Sequence, residues 1–330
     1  MQNRYIDIIE IAKIANVHPS TVSRALNNNS RISEKTRNLI QQIALEYGYV
    51  PDSAARGLSQ RKSMIIGVIV SDISNSFYAH IISAIENAMN AQDYDVIVSS
   101  SHFDADAEAR CIRTMISRRV DALVICNPTP SSIPLLESVR DRFPIILCDS
   151  VRPCSSFDRI YVDESFGISC AVSHLVAQGH TKIGTISDIS DAPRIHVFQE
   201  KLREHGIEVP PEYHLLSDDF DYPSGYRSVY QLYEQGCLPT ALFCIRDNVA
   251  IGALRAAYEL NLSIPDQLSI IGYDDGQIAE YAFSPLTTIH QPVEQIAANV
   301  VQCILDRLQN ADLPPKEICL IPEFIVRQSA

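Results

Sequence analysis

From Met64 onward, short apolar runs alternate with amphipathic stretches. The runs are MIIGVIV, YDVIVSS, DALVICN, PIILCDS, RIYVDE, KIGTIS, YHLLS, TALFCIR and LSIIGYD. Between them lie segments such as FYAHIISAIENAMNA and VAIGALRAAYELN, whose apolar residues recur at helical spacing. This alternation constrains the fold more than any other feature. A run that is apolar throughout reads as a strand buried on both faces, and the helices between such runs are what bury it. The pattern predicts an α/β fold built on parallel sheets. It is too long for one sheet of ordinary size, so two similar lobes are expected.

Ligands of such sheets bind beyond the carboxyl ends of the strands. The residues at those ends are polar: Asp72, Ser99, Asn127 and Asp149 in the first half, and Ser187, Ser217, Arg246, Asp247, Asp274 and Asp275 in the second. With Phe77, Tyr78 and Phe220 nearby, they suit a small polar molecule such as a sugar. The plainer reading is that an aspartate at a strand end caps the next helix, and Asp247 is expected to do this for NVAIGALRAA.

The first 62 residues differ in charge from the rest. The chain carries a formal net charge of −13, yet residues 1–62 hold nine Lys/Arg against five Asp/Glu. A basic head on an acidic body suggests that the head meets a polyanion. DIIEIAKIANV has helical spacing, with Asp7 and Glu10 placed as a capping box. ANVHP breaks that helix, and Pro19 suits the first position of a second one, where its missing N–H costs nothing. His18 would then be the N-cap, a poor residue for the task.

In the second helix Val22, Ala25 and Leu26 point inward. Ser20 and Arg24 share the outward face, flanked by Thr21 and Ser23. Short hydroxyls let the backbone approach phosphates, and one arginine can read guanine with two parallel hydrogen bonds. Ser33 caps a third helix that Gly48 ends. This is the helix-turn-helix layout; the alternative is a three-helix bundle with a polar face. The tract YVPDSAARGLSQRKS follows, and its Leu58 is either a minor-groove wedge or a residue packed on the body.

The stretch IIEIAKIANVHPSTVSRALNNNSRISEKTRNLIQQIALEYGYVPDSAARGL resembles the DNA-binding and hinge segment of the lactose-repressor/galactose-repressor family of bacterial transcription regulators. His18 departs from the serine usual there, and Gly57 departs within the hinge tract, where an interior glycine costs a helix about 1 kcal/mol. The resemblance implies that Pro19, Ser20 and Arg24 face bases, that Thr21, Ser23 and Asn27 hold phosphate, and that Leu58 is the wedge. It continues through IGVIVSDISNSFY, RRVDALVI, HLVAQGHTKIG, PTALFCIRDNVAIGALRA, IPDQLSIIGYDD and LTTIHQP.

These landmarks imply a two-lobed core like that of periplasmic binding proteins, with an effector cleft between the lobes. The expected division is a DNA-binding domain at 1–50, a hinge at 51–62 and a core at 63–330. Within the core, 63–162 with 292–321 form one lobe and 163–291 with 322–330 the other. By resemblance Asp149, Arg194, Phe220 and Asp274 bind effector, although Val197 replaces a glycine of the motif around Arg194; Phe77, an aromatic near the strand ends, is expected to join them. The resemblance also implies a homodimer joined through the lobe that carries 77–91, on a near-palindromic operator. The effector is expected to be carbohydrate-derived, acting as inducer or corepressor. A phosphorylated carrier protein as corepressor is the alternative.

Arg246 stands where many family members carry asparagine. With Arg194 it would place two guanidiniums at one cleft and favour an anionic effector, a sugar acid or sugar phosphate. Pairing of Arg246 with Asp149 or Asp274 would instead leave a neutral cleft.

Other classes fit less well. There is no GxGxxG, GxxxxGK, GxSxG or HExxH, so an enzyme is not expected. His174 and His180 lie off one helical face, the nine cysteines form no CxxC, and no metal or cofactor is expected. MQNRYIDIIEIAK is not a signal peptide, and no apolar run is long enough to span a bilayer, which points to a cytoplasmic protein without a membrane partner.

Overall fold

The computed structural model of the chain describes residues 6–26, 31–49, 62–149, 154–187, 192–217 and 221–330. It divides into two compact units, Met1–Met64 and Ile65–Ala330.

The first unit has three described helices: α1 (Ile8–Ile14), α2 (Pro19–Leu26) and α3 (Glu34–Glu46). Asp7 caps α1 by accepting from the N–H groups of Ile9 and Glu10, both at 2.8 Å, and Glu10 returns the bond to the Asp7 N–H at 3.3 Å. Asn16 ends the helix with φ +51°, a left-handed position that asparagine tolerates better than most residues. Ile11, Val22, Ala25 and Ile40 are fully buried and form the core with Ala12, Ile43 and Ala44, while Leu26 packs at its margin. Ser33 caps α3, as its position predicts.

The second unit holds two parallel sheets. Lobe 1 contains β1 (Ile65–Val70), α4 (Ser76–Asn90), β2 (Asp95–Ser100), α5 (Ala105–Arg118), β3 (Ala122–Cys126), α6 (Ile133–Val139), β4 (Ile145–Cys148) and β5 (Asp158–Val162). Lobe 2 contains α7 (Glu164–Ala177), β6 (Ile183–Ser187), α8 (Ala192–Glu204), β7 (His214–Leu216), α9 (Tyr222–Glu234), β8 (Ala241–Cys244), α10 (Asp247–Glu259), β9 (Ser269–Ile271) and α11 (Gln277–Glu280). The chain then passes through β10 (Thr288–His290) and returns to lobe 1 as α12 (Val293–Gln309) and β11 (Glu317–Leu320). It ends after β12 (Glu323–Ile325), which pairs antiparallel with β10.

The sheet orders are β11-β5-β4-β3-β1-β2 and β7-β6-β8-β9. Each reverses direction once, between β1 and β3 in lobe 1 and between β6 and β8 in lobe 2. A cleft opens at such a switch point, outside the carboxyl ends of the strands. Lobe 2 shows why the apolar runs are continuous. One face of its sheet packs on α9 and α10, and the other on α7 and α8, where the rings of Phe198 and Phe243 stack at 4.4 Å. Helices α9 and α10 cross at Gly225 and Gly252. A Cβ there would lie 1.8 Å from the Val249 carbonyl oxygen and 1.9 Å from that of Tyr222.

All nine cysteines are free thiols. Among the described residues no helix is long and apolar enough to cross a membrane, and no cluster of three or more His, Cys, Asp or Glu could hold a metal ion.

Candidate functional site

Helix α2 begins at Pro19, and its two inward residues, Val22 and Ala25, turn it so that Ser20 and Arg24 stand exposed, with Thr21 and Ser23 half-buried beside them. His18 does better at the start of α2 than its residue type suggests. Its Nδ1 lies 3.2 Å from the Ser20 N–H and 2.9 Å from the Ser20 hydroxyl, while its carbonyl accepts from the Thr21 N–H at 2.8 Å. The result is a short helix with one long cation and several hydroxyls on a solvent face. Asn27 and Leu58 lie outside the described residues, as does the hinge tract from 50 to 61.

In the second unit the polar strand ends gather at the cleft. Asp149 follows β4 with φ +51°, and Asp274 follows β9 with φ +109°. The Asp149 carboxylate accepts from the Tyr78 hydroxyl at 3.0 Å. Burial raises its pKa to about 7, the negative charge of Glu164 adds to the shift, and Arg194 opposes it. Asp274 accepts from the Gln291 side-chain amide at 2.7 Å.

Arg194, only 8 % exposed, donates to the Ile245 carbonyl at 3.1 Å and to Glu164 through both Nε and Nη2. Its guanidinium lies 3.9 Å from the centre of the Tyr273 ring. The structure thus brings Asp149, Arg194 and Asp274 within electrostatic reach of one another. Phe77 is buried, with its ring 5.1 Å from that of Tyr78. Phe220 lies outside the described residues.

One expectation changes. Asp247 does not cap α10; it is the first helical residue. Its side chain accepts from the Gly276 N–H at 2.7 Å and the Thr288 hydroxyl at 2.6 Å, and so ties α10 to the crossing segments. Neither of the two guanidiniums expected at the cleft stands alone. Arg194 is engaged by Glu164, Arg246 lies over the Phe103 ring, and Asp149 lies within electrostatic reach of Glu164, Arg194 and Asp274. Glu164, Tyr273 and Gln291 carry no mark in the sequence, and Tyr78, expected only as an aromatic near the strand ends, is the hydroxyl partner of Asp149. An acid at the start of a helix reads as ordinary dipole compensation, so Glu164 carried no signal.

Comparison with known proteins agrees with both halves. Residues 7–52 match a family described as bacterial regulatory proteins, lacI family, and residues 172–330 match a periplasmic binding protein-like domain. The HTH-type transcriptional repressor PurR of Escherichia coli O139:H28 is 33 % identical over 329 residues, covering 98 % of this chain and 96 % of that protein. This chain belongs to the lacI family of bacterial regulators. PurR of Aliivibrio salmonicida is 29 % identical, with 98 % of each chain covered. The crystal structure of the Lac repressor dimer bound to operator and the anti-inducer ONPF superposes with a TM-score of 0.84 at 25 % identity, covering 99 % of each chain. A lacI-family regulator from Lactobacillus casei with bound sucrose gives a TM-score of 0.73 at 26 % identity, over 81 % of this chain and 99 % of that one. These relatives are repressors rather than enzymes. The chain is a DNA-binding transcriptional repressor with an effector-binding core.

Proposed function

We propose that this repressor controls a carbohydrate-utilisation operon as a homodimer, through a small, neutral, polyhydroxylated effector bound between the lobes. The cleft set of Tyr78, Asp149, Arg194 and Asp274 carries this reading: hydroxyl, carboxyl and guanidinium groups converge at the strand ends, with acid and base balanced against one another. Such a set meets hydroxyl groups with donors and acceptors alike, and a net anion gains little from it. The sucrose-bound regulator from Lactobacillus casei supports the same class. In this reading Phe77 and Phe220 add aromatic faces.

In the head, Pro19, Ser20 and Arg24 read bases, Thr21, Ser23 and Asn27 hold phosphates, and Leu58 wedges the minor groove of a near-palindromic operator. The protein works in the cytoplasm, where that DNA is. The expected division into a DNA-binding domain at 1–50, a hinge at 51–62 and a core at 63–330 is kept.

A second copy also has a surface to meet. Phe283, 80 % exposed, lies with Ile251, Leu254, Tyr258 and Ala282 on a largely apolar face of lobe 2, its ring 4.9 Å from that of Tyr258. An apolar face of this kind is a usual mark of an interface, and the Lac repressor structure is that of a dimer. It is a second candidate surface beside the one expected on α4, whose exposed residues are mostly polar.

Calorimetry with neutral sugars, sugar acids, sugar phosphates and nucleobases tests the effector class. Operator fragments selected from genomic DNA then give the sign of the coupling. Binding of neutral sugars that shifts operator affinity is the expected result. A response to nucleobases or to acids alone would overturn the assignment, and a response only to a phosphorylated carrier protein would move it to that partner. Sedimentation showing a monomer bound tightly to operator would remove the dimer.

A further inference from the structure

Arg246 follows β8 and stands at the N-cap position of α10, at the switch point of the lobe 2 sheet. The residue is 7 % exposed, and its guanidinium lies 5.3 Å from the centre of the Phe103 ring. Phe103 belongs to lobe 1, in the turn after β2. That turn is bent in an unusual way: His102 and Phe103 have φ of +52° and +58° in succession. A bulky side chain rarely adopts this backbone, and such outliers persist where the surroundings hold them for a purpose.

The rest of this corner is tight. Asp72 and Ser76 of lobe 1 meet Arg246, Asn248 and Asp274 of lobe 2 around a free volume of about 10 Å³, the room of a single water. A Cβ added to Gly276 in lobe 2 would lie 2.7 Å from the Ser76 hydroxyl oxygen in lobe 1.

We propose that Arg246 and Phe103 form a latch across the cleft that holds the two lobes closed before any effector binds. A cation over an aromatic face is attracted without any ligand between them, and more strongly when water is excluded. The latch therefore sets how much of the ligand-free protein is open, and an effector must work against or with that population. If Arg246 instead acted only by touching the effector, its loss would leave the ligand-free protein unchanged.

Amide hydrogen exchange of segments 99–104 and 246–250, with small-angle scattering of the full ligand-free chain, separates the two roles. Arg246→Asn and Phe103→Leu should each speed exchange roughly two- to thirtyfold and enlarge the radius of gyration, with far-UV circular dichroism unchanged. Phe103→Tyr, which keeps the ring face, should behave as wild type. The double variant should go no further than the larger single. Additive effects, an unchanged Arg246→Asn, or Tyr and Leu at 103 behaving alike would each overturn the latch. If Arg246→Asn fails to fold, the Phe103→Leu and Phe103→Tyr pair still decides.

Discussion

The head and the cleft are built in opposite ways. Around α1 and α2 the polar contacts are local: Asp7 with Glu10 across three residues, and His18 with Ser20 across two. In the cleft the partners are far apart in the chain. Tyr78 meets Asp149 across 71 residues, Arg194 meets Glu164 across 30, and Asp247 meets Thr288 across 41. A head side chain on the outer face can therefore change its DNA contact and leave the fold alone. A cleft side chain is part of what joins the strands and helices, so changing it alters ligand and fold together.

The largest expected effect falls on the cleft. Glu164→Gln leaves the buried Arg194 charge without its carboxylate partner and should cost about 3–5 kcal/mol in chemical denaturation of the core. A loss under about 1 kcal/mol would mean that the Ile245 carbonyl and Tyr273 ring already hold Arg194, and the contrast with the head would weaken.

Asp149→Asn comes next, and its signature is in pH. The folded protein keeps the Asp149 proton up to about pH 7, whereas the unfolded chain releases it near a pKa of about 3.9. The stabilising contribution is fully present below the unfolded value and is lost as pH rises to the folded one. Wild type should therefore lose stability relative to Asp149→Asn between about pH 4 and pH 7, by on the order of 4 kcal/mol, and stay level above that window. A stability difference that does not vary with pH would show that Asp149 is ionised in the folded protein.

The head should respond in the other manner. Arg24→Ala should weaken operator binding by roughly 1–3 kcal/mol and relax one base position per half-site, with head stability unchanged within about 0.5 kcal/mol. Equal loss on operator and random DNA would make Arg24 a phosphate contact. The smallest effect is at the start of α2. His18→Ser should change the head's unfolding free energy by no more than about 0.5 kcal/mol, because the imidazole nitrogen already serves the Ser20 N–H. A larger loss would show that the ring does more than cap.

The same division explains what sequence reading recovers. Each of the nine apolar runs that reads as a strand forms one. Seven are buried along almost their whole length and so read as near-continuous apolar runs, while β2 and β7, at the sheet edges, are only partly buried. Three strands were not read: β10 and β12 have three residues each and β11 has four with alternating exposure. Runs that short hold too little periodicity to stand out. Asp149 and Asp274 stand out as polar strand ends as well as by resemblance, and Arg194 by resemblance alone; the structure supplies what their positions alone lack: their partners Tyr78, Gln291 and Glu164. Asp247 was misread as a cap because its true partners, Gly276 and Thr288, come to it from other segments.

Amino-acid order alone determined the elements whose energetics are local. Pro19 starts a helix, Asp7 and Ser33 cap two others, and the spacing of Val22 and Ala25 chooses the face that α2 shows to solvent. Each rests on hydrogen bonds and side-chain neighbours within a turn or two. Only the tertiary structure decided the charge state of Asp149, the engagement of Arg194 by Glu164, and the meeting of Arg246 with Phe103. Those depend on how far water is excluded and on which distant segments the two sheets bring to one corner, and both are set by packing across the whole core.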